Sequence, residues 1–257
     1  MYRHADLRDR VVLVTGAASG IGLCIAELFS KNGAHLLVND IQPTGTTVAK
    51  KVRGTFLQAD LSDMEQVRDL ARRAMEVGGR VDILVNNAGL QHVAPVEEFS
   101  QEMWAHIIQV MLVAPFQLTS LLLPGMKARG WGRIINISSI HGLVASPYKS
   151  AYVSAKHGLI GLTKTVALEA GLYGVTVNAI CPAYVRTPLV EGQIKDQARA
   201  LGISEDEVLD KVMLEPAAIK RLIEPEEVAR LALFLASEDA RSITGSAYTI
   251  DLGWTAR

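Results

Sequence analysis

Cysteine is nearly absent: the 257 residues hold only Cys24 and Cys181. The two stand far apart and neither has a partner at metal-ligand spacing, which excludes a disulfide framework and a cysteine-built metal site and leaves them as small core residues. No other set of ligands reads as a metal site. Neither sign of charge is in excess, with 26 basic residues against 27 acidic and a net charge of -1. Without a dense Lys/Arg run there is no field to hold a polyanion, so nucleic acid is excluded as a partner. No stretch reads as the roughly 20 apolar residues of a membrane span. The segment Met1 to Arg10 carries charges where a secretory leader needs an apolar core. The expectation is a cytoplasmic chain with no membrane partner.

Apolar residues make up 49% of the sequence and charged residues 21%, enough to bury a sheet under helices and too little charge for disorder. Short β-branched runs recur between longer helical patterns: Val11 to Thr15, His35 to Asn39, Gly54 to Gln58, Ile83 to Asn86, Arg133 to Ser138, Val175 to Ile180 and Ala247 to Asp251. Alternation of this kind builds a parallel sheet with helices on both faces, and nearly continuous apolar strands are those buried on both sides. The expected fold is α/β: a single doubly wound Rossmann-type domain over 1–257, with a seven-stranded parallel sheet. The stretch 187–221 breaks the rhythm as a polar helical insertion after the sixth strand, placed to act as a lid over a site at the carboxyl edge of the sheet.

Directly after the first strand comes Thr15-Gly16-Ala17-Ala18-Ser19-Gly20-Ile21-Gly22, followed by an amphipathic run. Glycines there tighten the turn and let backbone approach a pyrophosphate, while the helix that starts at the turn offers free N–H groups. A glycine-rich turn alone is weak evidence; the strand before it and the helix after it give it weight. Asp40 ends the second strand 18 positions past Gly22. A carboxylate there accepts from ribose hydroxyls and repels a 2′-phosphate, and Ala17, Ala18 and Ile41 supply no compensating cation. The expected cofactor is NAD rather than NADP.

Tyr152 and Lys156 stand four apart within helical spacing, and Ser139 lies 13 residues before Tyr152 at a strand end. A phenol of pKa about 10 is a poor base near neutrality unless cations stabilise its phenolate, which a lysine on the same helix face can do. A Tyr and a Lys so spaced are ordinarily a surface pair; their occurrence with Ser139 and the glycine turn carries the catalytic reading.

Taken in order, Thr15-Gly-x3-Gly-x-Gly22, Asn86-Asn87-Ala88-Gly89, Ser139 and Tyr152-x3-Lys156 resemble the short-chain dehydrogenases/reductases along the whole chain. The resemblance implies that Tyr152 is the general acid/base, that Ser139 holds the substrate oxygen, and that Lys156 binds the nicotinamide ribose and tunes Tyr152. It places Asp60 and Leu61 at the adenine, Asn87, Ala88 and Gly89 beside the cofactor, Val185 and Thr187 at the carboxamide, and Asn136 and Asn178 in structural roles. One departure is Met111, where the family usually has an Asn whose carbonyl helps hold a relay water. Met111 lacks the amide of that Asn; Pro115 has no N–H for the Met111 carbonyl, which leaves two readings open: a freed carbonyl that preserves the water site, or a proline that only kinks the helix for packing. Pro182-Ala183 replaces the common Pro-Gly.

The segment Ser139 to Tyr152, with Gln91-His92, Thr187 to Gln193 and Gly253-Trp254-Thr255, resembles in particular the D-3-hydroxybutyrate dehydrogenases of that family. This implies that Gln91, His141, Lys149 and Gln193 bind a substrate carboxylate and that Trp254 closes the pocket. The expected reaction is NAD-dependent oxidation of D-3-hydroxybutyrate to acetoacetate, with Ser139 and Tyr152 at the reacting hydroxyl. Two alternatives stay open: a dehydrogenase for another small hydroxy acid or secondary alcohol, and a silent NAD-binding regulator, for which Met111 is the sole support. Family members are usually tetramers, so a homotetramer is expected.

Overall fold

The computed structural model describes residues 6–256. Seven strands form one sheet in the order β3-β2-β1-β4-β5-β6-β7: β1 Val11–Val14, β2 His35–Val38, β3 Thr55–Phe56, β4 Ile83–Asn86, β5 Gly132–Ile137, β6 Val175–Pro182 and β7 Ala247–Ile250. Every neighbouring pair is parallel. The helices are α1 Gly20–Lys31, α2 Gly45–Lys51, α3 Met64–Gly78, α4 Gln101–Ile108, α5 Ala114–Arg129, α6 Ser150–Ala170, α7 Pro188–Leu201, α8 Glu205–Val208 and α9 Pro225–Ala236.

Successive strand residues face opposite sides of a sheet, which divides the core in two. Val12, Val14, Ile83 and Val85 pack with Phe29 and Ile25 of α1 and Ala232 of α9. Leu13, Leu37, Leu84 and Ile134 pack on the other side with Leu70 of α3 and Leu118 of α5. The strand order runs in opposite directions from β1 and β4, so their carboxyl ends open a crevice where the loops diverge.

The third strand is only two residues long, against the five expected from Gly54 to Gln58. It is an edge strand with one neighbour, and its backbone pairing continues irregularly through Leu57 N–H to the Val38 carbonyl at 2.8 Å. The sixth strand runs two residues further than expected, because Cys181 and Pro182 pair with Thr249 and Ile250. The helical run Gln101–Arg129 is apolar and long enough by length and composition to cross a membrane, contrary to the reading that no stretch approached this. More than half of its apolar window is buried in the fold, where it packs on α3 and α6.

The expected insertion forms α7, α8 and a π turn at Leu209–Met213, and returns to the sheet edge through a bridge between Val185 and Ile223. It carries a small core of its own, Val190, Ile194, Val208, Met213, Leu214 and Leu222, packed on Tyr184.

At the opposite, amino edge the carboxylate of Asp82 is only 2% exposed. It accepts from the Val11 N–H at 3.0 Å and the Arg80 Nε at 2.9 Å, with the Arg129 Nε at 3.5 Å. Asp82→Ala strands these donors and should cost about 2–3 kcal/mol. Thermal melting should show a Tm lower by roughly 5–10 °C with dinucleotide affinity unchanged, since Asp82 lies at the far end of the strands.

Candidate active site

The turn after β1 depends on close backbone approach. Gly16 has φ +60°, and a Cβ on it would stand 2.7 Å from the Ala88 Cα; a Cβ on Gly22 would stand 2.4 Å from the Gly16 carbonyl oxygen and 2.5 Å from the Asn87 Nδ2. Thr15 ties this turn to the end of β4: its hydroxyl accepts from the N–H groups of Asn87 and Ala88 at 3.0 and 3.1 Å. The Asn87 amide donates to the carbonyls of Thr15 and Gly16 at 2.9 and 3.0 Å.

These contacts wall a cleft of about 410 Å³ over the carboxyl edge of the sheet. Gly16, Ser19, Gly20, Ile21, Asp40, Asp60, Leu61, Asn87, Ala88, Gly89, Val185 and Thr187 line it from the cofactor set expected from sequence, and Ser139, Tyr152 and Lys156 line its inner end. Thr15 and Gly22 are not in the lining: they build the wall behind it. Asp40 is fixed by the N–H groups of Ala18 and Gln42, each at 2.9 Å from one carboxylate oxygen. A turn with no room for a Cβ at Gly16 or Gly22, a helix N-terminus at Gly20 and a carboxylate at the far end fit an adenine dinucleotide.

Lys156 projects from α6 at 4% exposure, and its Nζ donates to the Ile137 carbonyl at 2.6 Å. Burial brings this ammonium down to about 8. Nζ lies 5.6 Å from the centre of the Tyr152 ring. Burial pushes the Tyr152 phenol up, while its bond with Ser139 pulls the other way. The Ser139 hydroxyl accepts from the His141 N–H at 3.1 Å.

Behind this triad lies an inner cavity of about 50 Å³. A water needs roughly 10–15 Å³ by that measure, so the cavity suits a short-chain molecule. Gln91, Ser139, His141, Lys149, Tyr152 and Gln193 all line it, as expected from sequence. Lys149 is 6% exposed, and burial pushes its ammonium down. It has no carboxylate partner among the described residues; its Nζ lies 5.7 Å from the centre of the Tyr184 ring. Both amide atoms of Gln91 are buried without a hydrogen-bond partner. His141 is held neutral, at about 4, by burial and by the nearby Lys149 charge.

Trp254 does not line this cavity. It packs edge-on against His141, ring centres 6.1 Å apart, and its indole N–H donates to the Met213 carbonyl at 3.3 Å, tying the chain's end to the insertion. Sequence reasoning missed Tyr184, which lines the cavity and joins the core of the insertion. Its position between Ala183 and Val185, both already singled out, was the available signal.

Around Met111 the helix widens. A π turn spans Gln109–Val113, and the Ala114 N–H goes to the Gln109 carbonyl instead of that of Val110. Because Pro115 has no N–H, neither Val110 nor Met111 keeps its α-helical donor, and both line the cleft. The freed carbonyl expected from Pro115 is thus part of a wider break in the helix.

The close approach at Gly22 shapes this cleft. Gly22→Ala should weaken binding of a reduced nicotinamide dinucleotide about ten-fold or more in a fluorescence titration, while Gly161→Ala, facing open space, should leave it unchanged.

A family model described as enoyl-(acyl carrier protein) reductase matches residues 16–255. A D-beta-hydroxybutyrate dehydrogenase of Rhizobium meliloti (strain 1021) is 50% identical over 256 residues, covering 96% of this chain and 99% of its own. One from Cupriavidus necator is 45% identical over 257 residues, covering 98% and 100%. A solved structure from Beutenbergia cavernae, provisionally described as an NAD(P)-dependent gluconate 5-dehydrogenase with NADP bound at low occupancy, superposes with a TM-score of 0.88 at 34% identity over 98% of this chain and 99% of that one.

Proposed function

This chain belongs to the short-chain dehydrogenase/reductase family, and we propose that it oxidises D-3-hydroxybutyrate to acetoacetate with NAD. The observation that carries the substrate is the buried Lys149, which among the described residues has no carboxylate beside it and lines a small cavity shared with the phenol of Tyr152. A buried ammonium is costly until an anion joins it, and the unpartnered Gln91 amide offers a further donor. The cavity size favours a short acid, and the two hydroxybutyrate dehydrogenases similar to this chain support the four-carbon one.

The choice of NAD rests on Asp40. Among the described residues the only lysine or arginine lining the cleft is Lys156, at the other end. A 2′-phosphate beside Asp40 would meet a carboxylate and no cation. Asp60 and Leu61 would hold the adenine, the turn from Gly16 to Ile21 the pyrophosphate, Asn87 to Gly89 the inner wall, and Val185 and Thr187 the carboxamide. When bound, the nicotinamide supplies the acceptor for the hydride from C3. Ser139 holds the substrate oxygen, and the Tyr152 phenolate removes its proton. Lys156 stabilises that phenolate and would contact the nicotinamide ribose. Lys149, Gln91, His141 and Gln193 anchor the carboxylate, which fixes which face of C3 points at the cleft.

Initial rates of NADH formation at 340 nm should show turnover of D-3-hydroxybutyrate with NAD and little with the L enantiomer or with NADP. Lys149→Ala should raise KM at least about ten-fold; activity on neutral alcohols only, or an unchanged KM, would overturn the acid substrate. In the oxidation direction Tyr152 must be deprotonated, and burial raises its pKa, so kcat/KM should climb with pH through one ionisation. Lys156→Met removes the cation that favours the phenolate and should displace that limb to higher pH; an unmoved limb would contradict the role given to Lys156.

A further inference from the structure

His141 is the middle residue of a short 3-10 turn, Ile140–Gly142, and its ring is wedged nearly perpendicular to two others. The centres of Tyr152 and Trp254 each lie 6.1 Å away, at interplanar angles of 80° and 75°. These neighbours restrict the plane of the imidazole and leave its two nitrogen-bearing edges to find polar partners. One edge meets Ser146, with Nε2 2.7 Å from the hydroxyl oxygen. Among the described residues nothing bonds Nδ1, and the residue lines the inner cavity.

A neutral imidazole donates from one nitrogen and accepts at the other, and the bond made by one decides what the other presents. With the proton on Nε2, Nδ1 would turn a lone pair toward a bound anion. With the Ser146 hydroxyl donating to Nε2, the proton sits on Nδ1 and points at the anion. A hydroxyl can rotate to donate, and Ser146 is the ring's only hydrogen-bond partner among the described residues.

We propose that Ser146 is a positioning residue for the anion pocket: its hydroxyl holds the His141 ring in the tautomer whose Nδ1–H binds the substrate carboxylate. This rests on the reading of the cavity as a carboxylate site. Ser146 then belongs to the same loop as the Lys149 that supplies the charge, so one short segment carries both the cation and the group that sets the neutral donor.

The test compares Ser146→Ala, Ser146→Thr and Lys149→Ala with the parent enzyme, using D-3-hydroxybutyrate and NAD. Ser146→Ala should raise KM about ten-fold with kcat within roughly two-fold, and Ser146→Thr, which keeps the hydroxyl, should restore KM. Nitrogen-15 spectra of histidine-labelled enzyme with NAD and acetoacetate, with the resonance assigned by His141→Gln, should show a protonated Nδ1 in the parent and in Ser146→Thr. In Ser146→Ala that signal should average or reverse. If Ser146→Ala leaves KM and the tautomer unchanged while Lys149→Ala still raises KM, the role of Ser146 is overturned and the carboxylate site stands. If Lys149→Ala also leaves KM unchanged, the carboxylate site itself falls and this inference falls with it.

Discussion

The Lys149 ammonium, buried at 6% exposure with no carboxylate beside it among the described residues, is held against the solvation it gives up, and the inner pocket is organised around that cost. The backbone keeps it there. Tyr148, just before it, has φ +65°, a conformation that non-glycine residues rarely adopt. Its carbonyl accepts from the Ala94 N–H at 3.0 Å, which stitches the loop after β4 to the start of α6. The same helix then carries Tyr152 and Lys156 on the face turned toward the cleft. The proposed anchor for the substrate charge, the proposed proton acceptor and the cation proposed to tune it therefore come from one continuous stretch, and their spacing is set by helix geometry.

The remaining components come from distant parts of the chain, and the parallel sheet brings them together. Parallel strands place all their carboxyl ends on one edge, so Gly16 after β1, Asp40 after β2, Asn87 after β4, Ser139 after β5 and Val185 after β6 meet over one crevice. The insertion covers the inner end of this crevice. Tyr184 links its apolar core to the pocket, and Trp254 holds its π turn from the other side. The break at Gln109–Val113 opens the opposite wall, where Pro115 deprives the helix of a donor.

Most of the sheet was legible in the sequence because strands buried on both faces must be apolar without interruption, as Val11 to Val14 and Ile83 to Val85 are. The edge strand Thr55–Phe56 was overestimated because the run Thr55-Phe56-Leu57 beside Gly54 reads alike whether or not it gains a second neighbour. The glycine turn and Asp40 were legible because backbone approach and charge demand particular residue types at particular positions. Ser146 and Tyr184 were not: a loop serine and an isolated tyrosine have no periodicity, and their roles arise from a folded loop and a packed insertion. Trp254 was expected to close the pocket; it braces His141 and Met213 and leaves the cavity lining to others. Thr15 and Gly22 shape the cleft from behind, Thr15 through Asn87 and Ala88 and Gly22 through Gly16 and Asn87.

Direct binding isolates the charge at the centre of this account. Calorimetric titration of the enzyme saturated with NAD would compare acetoacetate with acetoacetamide, which has the same shape and no charge. If Lys149 awaits an anion, acetoacetate should bind at least about ten-fold more tightly; equal affinities would show that the pocket reads shape alone and would contradict the carboxylate site.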